Sequence, residues 1–138
     1  MSEEIYRHPE TGKELHREIR RIKFEYMGVS FDIDMPGWYP DDNDDDSDAV
    51  YTQEDMDTWD KAMNRAEAIA KNLLVSEEIA RIRQKLHLSQ TAAGTILGGG
   101  KRAFQKYESG TILPSRSISN LLRILDADPD ALDILKKS

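Results

Sequence analysis

Three consecutive glycines, Gly98–Gly100, lie between two short helical patterns, and they constrain the fold more than any other stretch of the chain. The first pattern begins at Ser89, and the second carries Lys101, Arg102 and Lys106. Because glycine accepts the left-handed backbone that ends a helix, the triplet predicts a turn between the two helices. Two short helices joined by a glycine turn are typical of a helix-turn-helix, whose second helix enters the major groove of DNA.

The second helix, predicted over 101–108, has two different faces. Its helical period places Arg102 and Lys106 one turn apart on one face, with Phe104 and Tyr107 on the roughly opposite face. We therefore expect the two rings to pack inward and anchor the recognition helix. Arg bonds both acceptors of guanine in the major groove, and Lys reaches the same edge. This chemistry predicts that Arg102 and Lys106 read bases, although solvated surface cations are the alternative.

Five further residues are predicted to contact the DNA backbone or to flank the base-reading face. Two begin the first helix, where backbone amides bind phosphate. The others lie at the start of the second helix, on its flank and at the start of the following helix. In chain order the five are Ser89, Gln90, Lys101, Gln105 and Arg116.

Charge divides the chain into two unlike halves. Residues 1–75 hold 9 Lys/Arg and 19 Asp/Glu, a formal charge of −10, whereas residues 76–138 hold 10 and 7, a formal charge of +3. The overall charge of −7 argues against a general nucleic-acid binder. An acidic half joined to a basic half indicates two surfaces with two kinds of partner, and phosphate is the common partner of a basic surface.

The acidic half contains the clearest strand signal of the chain. Apolar and charged residues alternate over 22–26 and again over 29–33, and Met27 and Gly28 separate the two runs. This pattern predicts a β-hairpin, whereas the segment 36–40 is predicted to break it. Thr52 and Asp55 then look like the capping box of a long helix whose apolar stripe covers the hairpin.

An aspartate-rich run, Asp41–Asp48, separates the hairpin from this helix. Like charges repel and cannot be buried together, so the run is predicted to be a solvated loop. A calcium loop is the sharper alternative. The run lacks the glycine at the sixth position that such a loop needs, which favours the solvated loop.

The basic half predicts five short helices, the first capped by Ser76 and the fourth opened by Pro114 and Ser115. The predicted fold is therefore mainly α and α+β overall. Residues 1–75 are expected to form a domain with a β-hairpin and a long helix. Residues 76–138 are expected to form a five-helix domain that contains the helix-turn-helix.

Several classes of protein are disfavoured by what the sequence lacks. The absence of cysteine excludes disulfides and thiolate metal sites, and it fits a reducing cytoplasm. No apolar run approaches the ~20 residues of a membrane helix. The histidines are far apart in sequence, and no glycine-rich phosphate loop follows a strand. We therefore predict a cytoplasmic, nucleoid-associated protein that is not an enzyme and has no cofactor.

The stretch from Ile79 to Leu135 resembles the helix-turn-helix domain of MqsA-type antitoxins, within the wider Xre/Cro class. Its specific letters are LSQ, then GGG, then AF, YE and G within the run KRAFQKYESG, then PS. The resemblance implies that the helix after GGG reads bases, at the positions of Arg102 and Lys106. The family typically has a smaller polar residue at the first of these, which implies a different operator sequence.

The front half resembles the same family more weakly, through the hairpin, the letters GWY and the helix that begins YTQEDMD. The family's N-terminal domain holds zinc on two Cys-x-x-Cys pairs, which this chain lacks. We therefore expect a domain without metal. His8 and His16 are alternative ligands together with aspartates, but we expect both to face solvent.

These expectations lead to one main hypothesis, an antitoxin of a type II toxin–antitoxin system. Residues 76–138 would dimerise and bind a palindromic operator as an autoregulating repressor. Residues 1–75 would neutralise a toxin, and the resemblance together with the charge of −10 implies a basic RelE-like mRNA interferase. One alternative is a phage- or plasmid-type Xre-family transcriptional regulator without a toxin. Another is an enzyme or calcium-binding module centred on Asp41–Asp48.

Overall fold

The computed structural model describes residues 5–41 and 46–137, and it confirms a mainly α fold within the α+β class. Three strands come first, in the sheet order β1-β2-β3. They are β1 (Ile5–Arg7), β2 (Glu14–Tyr26) and β3 (Val29–Pro40). Six helices follow: α1 (Gln53–Ala70), α2 (Ser76–Lys85), α3 (Gln90–Leu97), α4 (Ala103–Ser109), α5 (Arg116–Ala127) and α6 (Leu132–Lys136). None of the helices in the described ranges is long and apolar enough to cross a membrane.

The chain divides into two compact units. The first takes its described residues from 1–25 and 30–62, and the second from 26–29 and 63–138. Helix α1 supplies residues to both units. The division at residue 75 into a toxin-binding and a DNA-binding domain concerns function and stays a prediction.

The hairpin of β2 and β3 is longer than its alternating core predicts. Its turn has Met27 and Gly28 at φ 53° and 78°, which fits a two-residue hairpin turn. Pro36–Pro40, predicted to break the pattern, continues β3 instead. Strand β3 lies at an edge of the sheet, so only one of its sides pairs with another strand of the sheet. An edge strand tolerates proline, whereas in a central strand a proline would remove a hydrogen bond of the ladder. Trp38 also exchanges two backbone hydrogen bonds of 2.9 Å with Val50.

The core of the first unit forms around Phe24, which is fully buried. Its ring stacks on Phe31 at a centroid distance of 5.4 Å and meets the edge of Trp59 of α1 at 4.8 Å. These contacts agree with the prediction that the long helix covers the hairpin. The apolar stripe predicted for this helix includes Ile69 and Ala70, but both are exposed, so the stripe ends earlier than expected.

An ion pair with a buried carboxylate reinforces the start of α1. Thr52 and Asp55 form the predicted capping box, with reciprocal hydrogen bonds from the Asp55 amide to the Thr52 hydroxyl (3.1 Å) and from the Thr52 amide to the Asp55 carboxylate (2.9 Å). The guanidinium of Arg17 on β2 also grips this carboxylate with two donors, one of them at 2.8 Å. Strand β2 and the start of α1 are thus tied together inside the first unit.

The helices of the second unit begin largely where their caps are predicted. The hydroxyls of Ser89 and Ser115 accept the amides of Ala92 (3.0 Å) and Ile118 (3.1 Å). Ser76 is not the predicted N-cap, because it is the first residue of α2, and its hydroxyl donates to the Tyr107 carbonyl at 2.7 Å. The predicted last helix begins as a 3-10 turn, Pro129–Ala131, before α6.

The core of the second unit is a single apolar cluster from all five of its complete helices and the turns between them. Its largest fully buried side chains are Ile79, Ile82, Phe104, Leu122 and Leu125. The buried Ser119 hydroxyl accepts the amide of Leu74 at 2.9 Å. Helices α3 and α4 are packed onto this core, which fixes the position of the glycine turn between them.

Part of the aspartate-rich run lies outside the described residues, namely 42–45. Asp46–Asp48 forms a 3-10 turn. Lys13 of the first unit pairs with Asp48 at 2.7 Å. Within 5–41 and 46–137, no group of three His, Asp or Glu side chains could hold a metal ion.

Candidate nucleic-acid interface

The turn between α3 and α4 has a backbone that favours glycine at three successive positions. Gly98, Gly99 and Gly100 have φ of 116°, 95° and 94°. L side chains rarely adopt this region, so substitution at any of the three is strained. The amides of Gly98 and Gly100 both donate to the Gly94 carbonyl, at 3.2 and 3.3 Å. The triplet therefore both ends α3 and folds the chain back onto it.

A fourth glycine, Gly94, permits this close approach and was not identified from the sequence pattern. A Cβ at this position would lie 1.9 Å from the Gly100 carbonyl oxygen, far inside a van der Waals contact. Gly94 is also buried within α3. Glycine inside a helix lowers the stability of the helix. Its presence in such a short helical pattern is therefore the sequence signal for a close backbone contact that only glycine permits.

Helix α4 begins at Ala103, two residues later than predicted. The glycine turn continues through Lys101, and Arg102 is the N-cap rather than a residue of the helix interior. The Lys106 amide still donates to the Arg102 carbonyl at 3.3 Å, so the two positions remain one turn apart. This arrangement places Arg102 at the N-terminal end of α4, the part of a recognition helix that contacts base edges.

The two aromatic rings of α4 are directed into the core. Phe104 is fully buried and Tyr107 is 7% exposed, and their rings meet edge to face at a centroid distance of 5.3 Å. Burial raises the pKa of the Tyr107 hydroxyl above its ordinary value. The rings thus fix which face of α4 is turned to solvent.

Three exposed cations lie around the start of α4. Lys101, Arg102 and Lys106 line one surface recess of about 420 Å³. Within residues 5–41 and 46–137, none of the three makes an ion pair or a side-chain hydrogen bond. By contrast, carboxylates pair with other cations of the second unit, among them Arg81, Arg83 and Lys85. The charge of the first three is thus uncompensated, as phosphate or base contact requires.

A sequence comparison extends this local picture to nearly the whole chain. Residues 7–136 match the sequence model of the family described as the antitoxin component of bacterial toxin-antitoxin system, MqsA. The chain belongs to the MqsA antitoxin family. It is also 38% identical over 76 residues to a protein named Antitoxin MqsA from Escherichia coli strain K12. That match covers 55% of this chain and 54% of the relative, so it spans about half the length of each.

The other residues predicted to touch DNA have different environments in this MqsA-family chain. Gln105 on α4 is exposed, Ser89 is exposed at the start of α3, and Gln90 is half-buried beside it. Arg116 has an internal partner, because its guanidinium donates to the Asn72 carbonyl at 3.4 Å. Contact of Arg116 with phosphate would compete with this hydrogen bond.

An ion pair that was not predicted holds the C-terminal end of α4. Arg83 of α2 binds Glu108 through two hydrogen bonds of 2.7 and 2.9 Å, and it also donates to the Leu88 carbonyl at 2.8 Å. Both charged side chains are mostly buried. The hydrogen bonds to Glu108 raise the pKa of Arg83. Spacing alone gives no signal for this pair, because 25 residues separate its members.

The zinc site implied by the MqsA resemblance does not fit this chain. There is no cysteine to supply thiolates, and His8 and His16 have other partners. The His8 ring accepts the amides of Glu10 (3.1 Å) and Thr11 (3.2 Å) and so stabilises a turn. His16, predicted to face solvent, is instead 15% exposed, and its Nε2 lies 3.0 Å from a carboxylate oxygen of Asp41.

Proposed function

We propose that this protein is an antitoxin that neutralises a toxin and binds its own operator DNA as an autoregulating repressor. The observation that carries the DNA-binding part is the cluster of Lys101, Arg102 and Lys106 at the start of α4. Their charges are uncompensated within the described residues, and the buried rings of Phe104 and Tyr107 turn them outward. Membership of the MqsA antitoxin family supports the toxin-binding part. Both activities are binding rather than catalysis.

In this proposal Arg102 and Lys106 read base edges in the major groove. Lys101, Ser89 and Gln90 contact phosphates on one side of the reading face, and Gln105 flanks it. Arg116 contributes a phosphate contact only by giving up its hydrogen bond to Asn72. A homodimer of the chain binds a palindromic site, with one α4 in each of two major grooves about a helical turn apart.

The proposed partner of residues 1–75 is a basic toxin of the RelE-like mRNA interferase kind. The formal charge of −10 on these residues supports a basic partner, since complementary charge steers association. A second candidate function is an Xre-family transcriptional regulator without a toxin, which the cation cluster alone would equally support. A small basic reading frame beside the gene would favour the antitoxin, and its absence would favour the regulator.

DNA binding is tested with the DNA upstream of the protein's own gene as a labelled duplex. We expect Arg102→Ala and Lys106→Ala each to weaken binding by about 1–3 kcal/mol and to relax base preference, because each removes a direct base contact. Fluorescence anisotropy at fixed salt measures the affinity, since phosphate contacts make it strongly salt-dependent.

The matched control is Lys136→Ala, which removes an exposed cation of α6 that does not line the recess. This variant should bind the duplex with nearly the wild-type affinity. Equal losses in Lys136→Ala and Lys106→Ala would show that only overall charge matters, and the assignment of the reading face would then be wrong.

A further inference from the structure

Ile112 is an accessible apolar side chain within the recess that the three unpaired cations line. The recess contains two other apolar side chains, Ala103 and Tyr107, which are only 6% and 7% exposed. Ile112 is 40% exposed. The apolar contact that the recess offers therefore comes chiefly from Ile112, while Arg102 and Lys106 provide positive charge in the same recess.

Hydrogen bonds on both sides of the segment hold Ile112 in place. The amides of Thr111 and Ile112 donate to the Lys106 carbonyl at 3.0 and 3.4 Å. The side-chain amide of Asn64 donates to the carbonyls of Gly110 (2.9 Å) and Thr111 (3.1 Å). Ile112 is thus fixed relative to the last turn of α4 and is pre-organised for contact.

The composition of the recess selects one class of occupant. Uncompensated Lys and Arg side chains favour a polyanion over a neutral peptide or another basic surface. Within the DNA major groove, the apolar feature at a base edge is the 5-methyl group of thymine, which aliphatic side chains contact in direct readout. The recess therefore matches this edge in two ways. Its two cations provide the charge, and its isoleucine provides the apolar contact.

We propose that Ile112 contacts the 5-methyl group of a thymine beside the bases read by Arg102 and Lys106, and so acts as a specificity-determining residue. The inference rests on the proposed DNA binding of the second unit. It adds an apolar contact from the segment after the recognition helix to the polar contacts from its start.

The size of the effect follows from the burial of one methyl group. Removing one such contact corresponds to a loss of about four-fold in affinity. If both half-sites of a palindrome carry the contact, the loss becomes about fifteen-fold. Deoxyuridine provides this change without altering the protein, because it is thymidine without the 5-methyl group.

The experiment uses the entire 138-residue chain and a duplex that the wild-type protein selects from a random-sequence library. The duplex is made in two forms, one with thymidine and one with deoxyuridine at every thymidine position. Anisotropy titrations give the ratio of the two dissociation constants. We expect a ratio of at least about four for the wild type and a ratio near one for Ile112→Ala.

Two further variants control for indirect effects. Ile124→Ala removes a more exposed isoleucine of α5 that does not line the recess, and it should keep the wild-type ratio. Ile112→Leu keeps an aliphatic contact and should retain most of the ratio. Circular dichroism and melting curves confirm that each variant is folded before its ratio is compared.

Three outcomes would overturn the inference. A wild-type ratio near one shows that no thymine methyl is read. An unchanged ratio in folded Ile112→Ala shows that another residue reads it. If the wild type selects no duplex at all, the proposed DNA binding itself is wrong. The first two outcomes differ from this one, because in them the protein still binds DNA and only the contact of Ile112 is wrong.

Discussion

Asp55 shows how one buried charge can be stabilised by its immediate neighbours. Its carboxylate is fully buried, and it accepts hydrogen bonds from the Arg17 guanidinium and from the Thr52 amide. Hydrogen bonding to Arg17 is the main cause that lowers the pKa of Asp55 from 3.8 to about 2, against an opposing effect of burial. A charged group in this position contributes stability only while it is ionised.

The lowered pKa of Asp55 predicts how the first unit responds to acid. Because the pKa is lower in the folded state, this stability is present above about pH 4 and is lost as the pH falls towards 2. We expect Asp55→Asn to remove about 1–2 kcal/mol at pH 7, discounted because Arg17 is partly exposed. The variant should also lose less stability than the wild type between pH 4 and 2.

Tryptophan fluorescence measures this effect, because both tryptophans, Trp38 and Trp59, belong to the first unit. Urea titrations at several pH values give the free energy of unfolding. Asp57→Asn is the matched control, since Asp57 is an exposed carboxylate of the same helix. Equal pH dependence in the wild type and in Asp55→Asn would show that the ion pair does not act as inferred.

Helix α4 depends on its neighbours for its position more than on its own length. It has seven residues, too few to be stable alone in water. The glycine turn sets where it begins, two buried rings attach its inner face, and the Arg83–Glu108 pair holds its last turn. A change at any of these points is therefore expected to reach the surface proposed to read DNA.

Gly94 provides the sharpest test of this dependence. In Gly94→Ala the added methyl group would meet the Gly100 carbonyl oxygen at 1.9 Å, so α3 and the turn must separate. We expect a loss of about 1–3 kcal/mol of stability from overpacking, together with weaker DNA binding.

Denaturation followed by circular dichroism measures the stability of this variant. Thr95→Ala is the control in the same helix, because Thr95 is exposed, and it should change stability by less than about 0.5 kcal/mol. Wild-type stability in Gly94→Ala would mean that the turn can relax without cost.

Local patterns in the sequence predicted the helices, the hairpin turn and the caps at Ser89 and Ser115, because each depends on residues a few positions apart. The cap predicted at Ser76 was wrong, since Ser76 is the first residue of α2. The ion pairs Arg17–Asp55 and Arg83–Glu108 could not be predicted in this way, since their partners meet only after folding. The same reason hid the role of Gly94. The extension of β3 to Pro40 depended on its edge position, which the composition of 36–40 does not show. The partition of Arg102 and Lys106 from Phe104 and Tyr107 followed directly from helical period.

At the scale of the whole molecule, the proposed functions are assigned to halves of opposite charge. Residues 1–75 carry −10 and residues 76–138 carry +3. An acidic segment would repel DNA by itself, whereas uncompensated cations would repel a basic toxin. This charge distribution favours two partners that do not compete for the same residues.

The proposed separation predicts a protein that keeps one activity when it loses the other. The full chain with Arg102→Ala and Lys106→Ala together should lose operator binding but still copurify with the toxin and restore growth when the toxin is expressed. The toxin used is the product of a small basic reading frame beside the gene. Growth curves and copurification measure one activity, and anisotropy measures the other. Loss of both activities in a folded double variant would contradict the division.

The contrast between the glycine turn and the residue that follows it has a consequence for how such a protein diverges. Gly98–Gly100 occupy backbone conformations that other residues adopt only with strain, so selection for folding holds them fixed. Arg102 is exposed and makes no side-chain bond within the described residues, so folding places little constraint on its identity. Under the proposed DNA binding, operator preference can therefore drift by mutation at Arg102 while the scaffold that presents it stays unchanged.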